Sequence, residues 1–243
     1  MKRKTILVGI TLVLVIFGIA GVLALLVKHQ PDFYGKGAIP AGRERKKQSG
    51  KFMREFNQFC QEVKTREWGA RFEERSINCF FDEHFIQTGL AERILPEGIS
   101  EPRVSLEPDR LRLGFRYGKG TLSTIIAIDM RMWIAPRAPN VVVLELQGMH
   151  AGAIPISGQS LLERLSDAAG QYNIDVTWYR HGGNPVALLC FQADQDRPTI
   201  KLEHLMLGQG VLEFNGKSLV ATSARVVPAL PEGAPGKALD KDE

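Results

Sequence analysis

The chain is poor in the residues and spacings that announce chemistry. Its three cysteines, Cys60, Cys79 and Cys190, lie far apart, and the absence of any C-x-x-C pair excludes a zinc ribbon. All three sit among apolar neighbours, where a free cysteine acts as a small hydrophobe. In an oxidising compartment one disulfide could form, and the sequence does not choose the pair. Neither sign of charge dominates: the net charge is +4, and much of the excess lies between Lys28 and Lys51. With no zinc finger, no RNA-recognition signature and no basic-aromatic stripe, nothing points to nucleic acid as a partner.

Catalytic and cofactor signatures are equally scarce. Gly118-Lys119-Gly120-Thr121 has the Gly-Lys pair of a phosphate-binding loop. Leu113, however, stands where that loop needs glycine, and Gly120 stands where it needs Ser or Thr. A hairpin turn explains the segment. Asp82, Glu83 and His84 are adjacent and so do not share a helix face, while His150, His181 and His204 are scattered; no metal site is expected. Ser157-Gly158-Gln159-Ser160 is not a G-x-S-x-G elbow. The reading is of a protein that is not an enzyme and needs no cofactor.

What is present begins at the N-terminus. Lys2, Arg3 and Lys4 precede 23 uncharged residues, Thr5 to Val27, closed by Lys28. As a helix rising ~1.5 Å per residue this run is long enough for a ~30 Å hydrocarbon core. It exceeds the apolar region of a cleaved signal peptide, and the A-x-A-like stretch near Val22 to Ala24 continues into Leu25, Leu26 and Val27. The expectation is a transmembrane anchor over 1–28 and a single-pass membrane protein. Lys28, Lys36, Arg43, Arg45, Lys46 and Lys47 on the far side favour a cytoplasmic domain by the positive-inside count. The tiny basic N-terminus instead resembles a signal-anchor, which puts the domain outside the cytoplasm; that second orientation is preferred.

Residues 29–50, rich in glycine, proline and charge, read as a basic flexible tether. An α+β domain over 51–226 and a disordered tail over 227–243 follow. Phe52, Phe56, Phe59 and Val63 share one face of a helix over 51–67, which is expected to dock on the domain core. A second helix is expected from Asn78, its N-cap, extended by Leu90 and Ile94 and stopped by Pro96 and Gly98. From Pro102 the period becomes two. Leu111, Leu113, Phe115 and Tyr117 alternate with arginines and a glycine, and after the turn at Gly118 a strand over 121–135 carries Ile126, Ile128 and Met130 on one face. A third strand over 140–147 completes an antiparallel meander. A helix near 157–171 presents Leu161, Leu162 and Leu165, and strands near 174–180, 186–192, 198–207 and 210–215 close the domain.

Several segments together resemble a known family. These are Ser76-Ile77-Asn78-Cys79-Phe80-Phe81, the long-stranded meander, Gly152-Ala153-Ile154-Pro155-Ile156 before a helix, and the closing Gly210-Val211-Leu212-Glu213-Phe214. Over residues 76–215 the chain is similar to the bacterial YpmS-like and LmeA-like envelope proteins, related to tubular lipid-binding domains of the bactericidal/permeability-increasing type. The resemblance implies a curved sheet wrapped on a helix with lipid in the seam, Asn78 capping a helix, and Pro155 setting a strand-to-helix corner.

The fold class expected is therefore α+β: an N-terminal transmembrane helix, then a long-stranded curved antiparallel sheet packed on one or two helices. The function expected is non-catalytic binding of a membrane lipid or acyl chain in the cell envelope. Such binding needs no polar motif, since each buried CH₂ contributes about 0.8 kcal/mol. Parity makes Phe115, Ile126, Ile128, Met130, Leu144, Leu161 and Leu165 the candidate lining. The alternative is an envelope scaffold with a sealed core, recruiting envelope proteins through a strand edge or the Phe52-Phe56-Phe59 face.

Overall fold

A computed structural model of the chain describes residues 2–63, 67–89, 95–136, 138, 140–170, 174–191 and 198–219, with side chains except at 2–13, 161 and 168. The 227–243 tail expected from composition lies outside the described residues. Three helices come first: α1 (Lys2–Lys28), α2 (Asp32–Gly37) and α3 (Arg43–Glu62). Strand β1 (Glu67–Glu73) leads into α4 (Glu74–Phe80) and a π-helical turn, Phe81–Phe85. Then come β2 (Ile99–Glu107), β3 (Arg110–Tyr117), β4 (Thr124–Ile134), β5 (Val141–Ala151) and the short β6 (Ile154–Pro155). Helix α5 (Gln159–Gly170) precedes β7 (Asp175–His181), β8 (Asn184–Cys190), β9 (Ile200–Gly208) and β10 (Val211–Ser218).

The chain is thus α+β with a large antiparallel sheet. That sheet runs β2-β3-β4-β5-β8-β7, with β6 paired to β5, and a smaller one runs β1-β10-β9. Among the described residues no helix is long and apolar enough to cross a membrane. This corrects the expected transmembrane helix and the single-pass localisation with an extracytoplasmic domain.

The tether reading of residues 29–50 is corrected too. Glycine and charge there signal helix ends and solvent faces rather than slack chain. Tyr34 of α2 is buried against the large sheet, and Ser49 of α3 is fully buried. The Tyr34 hydroxyl donates to the Glu101 carbonyl at 2.8 Å. The end of α1 is fastened beside it: Lys28 Nζ donates to the Thr121 and Ser123 carbonyls, and the Thr124 hydroxyl to the Val27 carbonyl. Gly114 of β3 makes room for α2, since a Cβ there would lie 2.7 Å from Tyr34 Cδ2.

Helix α3 begins eight residues before the expected start at Lys51, and its phenylalanine face covers the small sheet. The Phe52 ring lies tilted against Phe72 (5.1 Å) and Phe80 (4.8 Å), and Phe59 meets Phe214 edge-on at 5.0 Å. Ala70 pairs with Phe214 across β1 and β10, leaving space for the ring between Trp68 and Phe72. Aromatic pairs in such geometries are worth ~0.5–1.5 kcal/mol each beyond area burial. The face is therefore engaged within the fold.

Asn78 does not cap a helix. It lies inside α4, whose first residue is Glu74, and its amide serves the outer edge of β2: Nδ2 donates to the Val104 carbonyl and Oδ1 accepts from the Val104 N–H, both at 2.9 Å. Glu74 accepts from the Leu106 N–H at 2.7 Å. Side chains thus take the place of a further strand and protect that edge. Asn140 does the same on β9, donating to the Ile200 carbonyl at 2.6 Å and accepting from the Leu202 N–H at 2.8 Å. Leu90 and Ile94, expected to extend the second helix, lie outside the described residues.

A candidate ligand cavity beneath the second sheet helix

Alternation sends Ile126 and Ile128 of β4 to one face of the large sheet, with Phe115 of β3 beside them. The three are buried in one cluster with Ile99, Leu146 and Met149, and α5 packs on it through Leu162 and Leu165. Ile128 is 1% exposed and Phe115 2%. Of the candidate lining, Phe115, Ile126 and Ile128 therefore sit in the buried core cluster, with Met130 and Leu165 packed against it. Leu144 is half-buried two residues further along β5, and the Leu161 side chain lies outside the described residues.

Space opens beside that cluster. A cavity of about 470 Å³ lies where α5, the end of β5 and the β7–β8 hairpin meet. Its apolar lining comes from Leu146, Met149, Ile156, Leu162, Trp178 and Pro185. Its polar lining includes Gln147, Gln159, Glu163, Arg180 and Asn184, all but Asn184 of them exposed. This size and this combination of apolar and polar lining are those of small-molecule sites. A second cavity of about 200 Å³ lies on the other side of the α5 N-terminus; Ile99, Tyr117, Ile126 and Arg164 are among its walls. Among the candidate lining residues whose side chains are described, Ile126 alone borders either of these two cavities.

The shift from the expected lining has a cause in the register. Ile128 pairs with Met149 and Met130 with Leu146, so β5 carries one extra residue over that interval. This bulge returns Met149 to the core face, where simple parity from Leu144 and Leu146 would have put Gly148. The rest of the site comes from positions that periodicity does not mark. Trp178 is held over α5 by its Nε1–H, which donates to Ser166 Oγ at 2.7 Å. Asn184 Nδ2 donates to Glu145 at 3.0 Å and fixes the hairpin rim. The Ile156 N–H donates to the Met149 carbonyl at 2.9 Å, securing the strand-to-helix corner.

No family model, curated protein or solved structure matches the chain. The resemblance to YpmS-like and LmeA-like proteins consequently rests on the quoted segments alone.

Other clusters offer less chemistry. Ser49 Oγ and His84 Nδ1 are 2.6 Å apart, but Ser49 is fully buried and no substrate could reach it. Asp82 pairs with Arg103 at 2.6 Å, and Glu83 accepts from Arg45 at 2.6 Å. The Arg45 hydrogen bond holds the Glu83 carboxyl below its ordinary range. These pairs join α3, the π-helical turn and β2. Burial pushes the Cys79 and Cys190 thiols up, away from the reactive thiolate form. Among the described residues, no group of three or more His, Cys, Asp or Glu is placed to hold a metal ion.

Proposed function

We propose that the chain binds one apolar-tailed ligand, a lipid or free acyl chain, in the cavity beneath α5, and does so without catalysis. The observation that carries this reading is the cavity itself: about 470 Å³, with both apolar and polar lining. A chain buried against Leu146, Met149 and Leu162 gains about 0.8 kcal/mol per CH₂. Ten methylenes would supply about 8 kcal/mol gross, from which the ordering of chain and ligand must be subtracted. Polar groups such as Arg180 and Asn184 would meet a polar head. The resemblance to lipid-binding envelope proteins agrees with this reading and is part of the proposal. The exposed apolar side chains of α1, Leu14 to Leu26, also form a surface of the kind that meets lipid or protein.

Native mass spectrometry of the full chain tests the proposal. One co-purifying lipid or fatty acid per chain is the expected result. An apo mass that takes up neither fatty acid nor phospholipid would overturn it. It would favour the scaffold reading, for which β7 is the relevant surface: an edge strand with Trp178 and Tyr179 exposed.

A further inference from the structure

The two cavities share a wall. Ile156, Ser157 and Gly158 border both, and the Met149 side chain, which lines the larger, lies against Gly158. Gly158 is glycine for this reason. A Cβ there would lie 2.6 Å from Met149 Cε and closer still to its Sδ, so any larger residue would displace the thioether. Met149 is 4% exposed, packed in the core cluster on one side and against the bare Gly158 backbone at its tip. Methionine has three rotatable side-chain bonds and repacks readily around irregular shapes. A thioether pressed on a glycine between two cavities can swing aside without breaking a hydrogen bond.

We infer that Met149 is a movable partition, and that with it aside the two cavities form one passage for a single linear acyl chain with an anionic head. This rests on the ligand reading above. The passage runs between a helix N-terminus and a sheet, which suits an unbranched chain. The larger cavity is lined by Arg180, a cation with no ion-pair partner among the described residues, and by the Glu163 carboxylate; Arg180 is the group that would receive the head. The tail then passes beneath Gly158 toward Ile99 and Ile126 of the smaller cavity. Met149 thereby sets chain-length preference. Short chains fill the first cavity with the partition closed, and longer ones must displace it.

The test is a chain-length profile. Saturated fatty acids from octanoate to stearate are titrated into the full chain, reading displacement of anilinonaphthalene sulfonate, for wild type, Met149→Ala and Met149→Leu. Withdrawing the Sδ–Cε tip should raise affinity for long acids relative to short ones, shifting the profile toward longer chains. Two further buried methylenes correspond to roughly fifteenfold. Met149→Leu keeps the bulk but shortens the reach of the side chain, and tests whether the Sδ–Cε tip itself is the partition if the alanine variant does not fold. Gly158→Ala, which pushes the thioether into the passage, should weaken binding of the long acids. A folded Met149 variant with the wild-type profile overturns the partition while leaving the ligand reading intact. A wild type that binds no acid of any length overturns both.

Discussion

Replacing Asn78 tests whether the open edge of the large sheet is held by one side chain. In Asn78→Ala the Val104 N–H and C=O both lose their 2.9 Å partners, and the site is 1% exposed, so water does not replace them readily. An orphaned buried backbone group costs ~1–3 kcal/mol, which puts the combined loss at about 3 kcal/mol after partial relaxation. For a chain of this size each kcal/mol shifts Tm by roughly 2–4 °C, so thermal unfolding followed by circular dichroism should fall by about 6–12 °C. Asn78→Asp separates the two bonds. The carboxylate still accepts from the Val104 N–H but now faces the Val104 carbonyl, which it repels. Its pKa should therefore be raised, and the variant's deficit against wild type should shrink as pH falls and the protonated acid can donate to that carbonyl. An Asn78→Ala loss under about 1 kcal/mol, or an Asn78→Asp deficit that does not change with pH, would show that the edge is held by other means.

Three further outcomes follow from contacts described above. Gly114→Ala should destabilise by about 1–3 kcal/mol through the clash with Tyr34, and should expose α2 to faster hydrogen exchange than the rest of the domain. Burial first, then the Glu101 carboxylate, raises the Tyr34 pKa from 10.0 to about 12. Between those values the folded chain keeps a proton that the unfolded chain has lost, so stability falls as pH rises across that window. Tyr34→Phe should be less stable at neutral pH and should lack this part of the alkaline loss, as denaturant titrations at both pH values would show. Ser166→Ala releases the Trp178 indole; its fluorescence should shift, and fatty-acid affinity should drop severalfold while overall stability changes by no more than about 1 kcal/mol.

Much of the large sheet was legible because its signals are local. Leu111 to Tyr117 and Ile126 to Met132 alternate cleanly, and the turn at Gly118, with φ of 91°, is where glycine belongs. The strands placed near 174–180, 186–192 and 198–207 correspond to β7, β8 and β9 within a few residues. The phenylalanine face of α3 was visible for the same reason. Strand β1 and helix α2 were not foreseen. Glu67–Glu73 has a short, mixed pattern, and Asp32–Gly37 contains two glycines and owes its place to Tyr34 and Phe33 packing over Gly114.

The candidate site was less legible than the fold, because it depends on residues far apart in sequence. Nothing near Asn78 or Asn140 says that each will complete the edge of a strand more than twenty residues away; both resemble ordinary cap or turn residues until the strands are in place. One extra residue between Leu146 and Met149 turns Met149 into the core and so moves the apolar lining toward α5. Ser166 and Trp178 meet only when β7 folds back along the helix.

By itself the sequence determined the alternation of the meander, its hairpin turn, the amphipathic faces of α3 and α5, and the lack of a recognisable catalytic motif, since each depends on neighbours within a few positions. The tertiary structure alone decided the order β5-β8-β7, the docking of α2, the edge roles of the two asparagines and the position of the cavities. Those depend on register and on which surfaces meet, and a one-residue bulge changes both without leaving a mark in the local pattern.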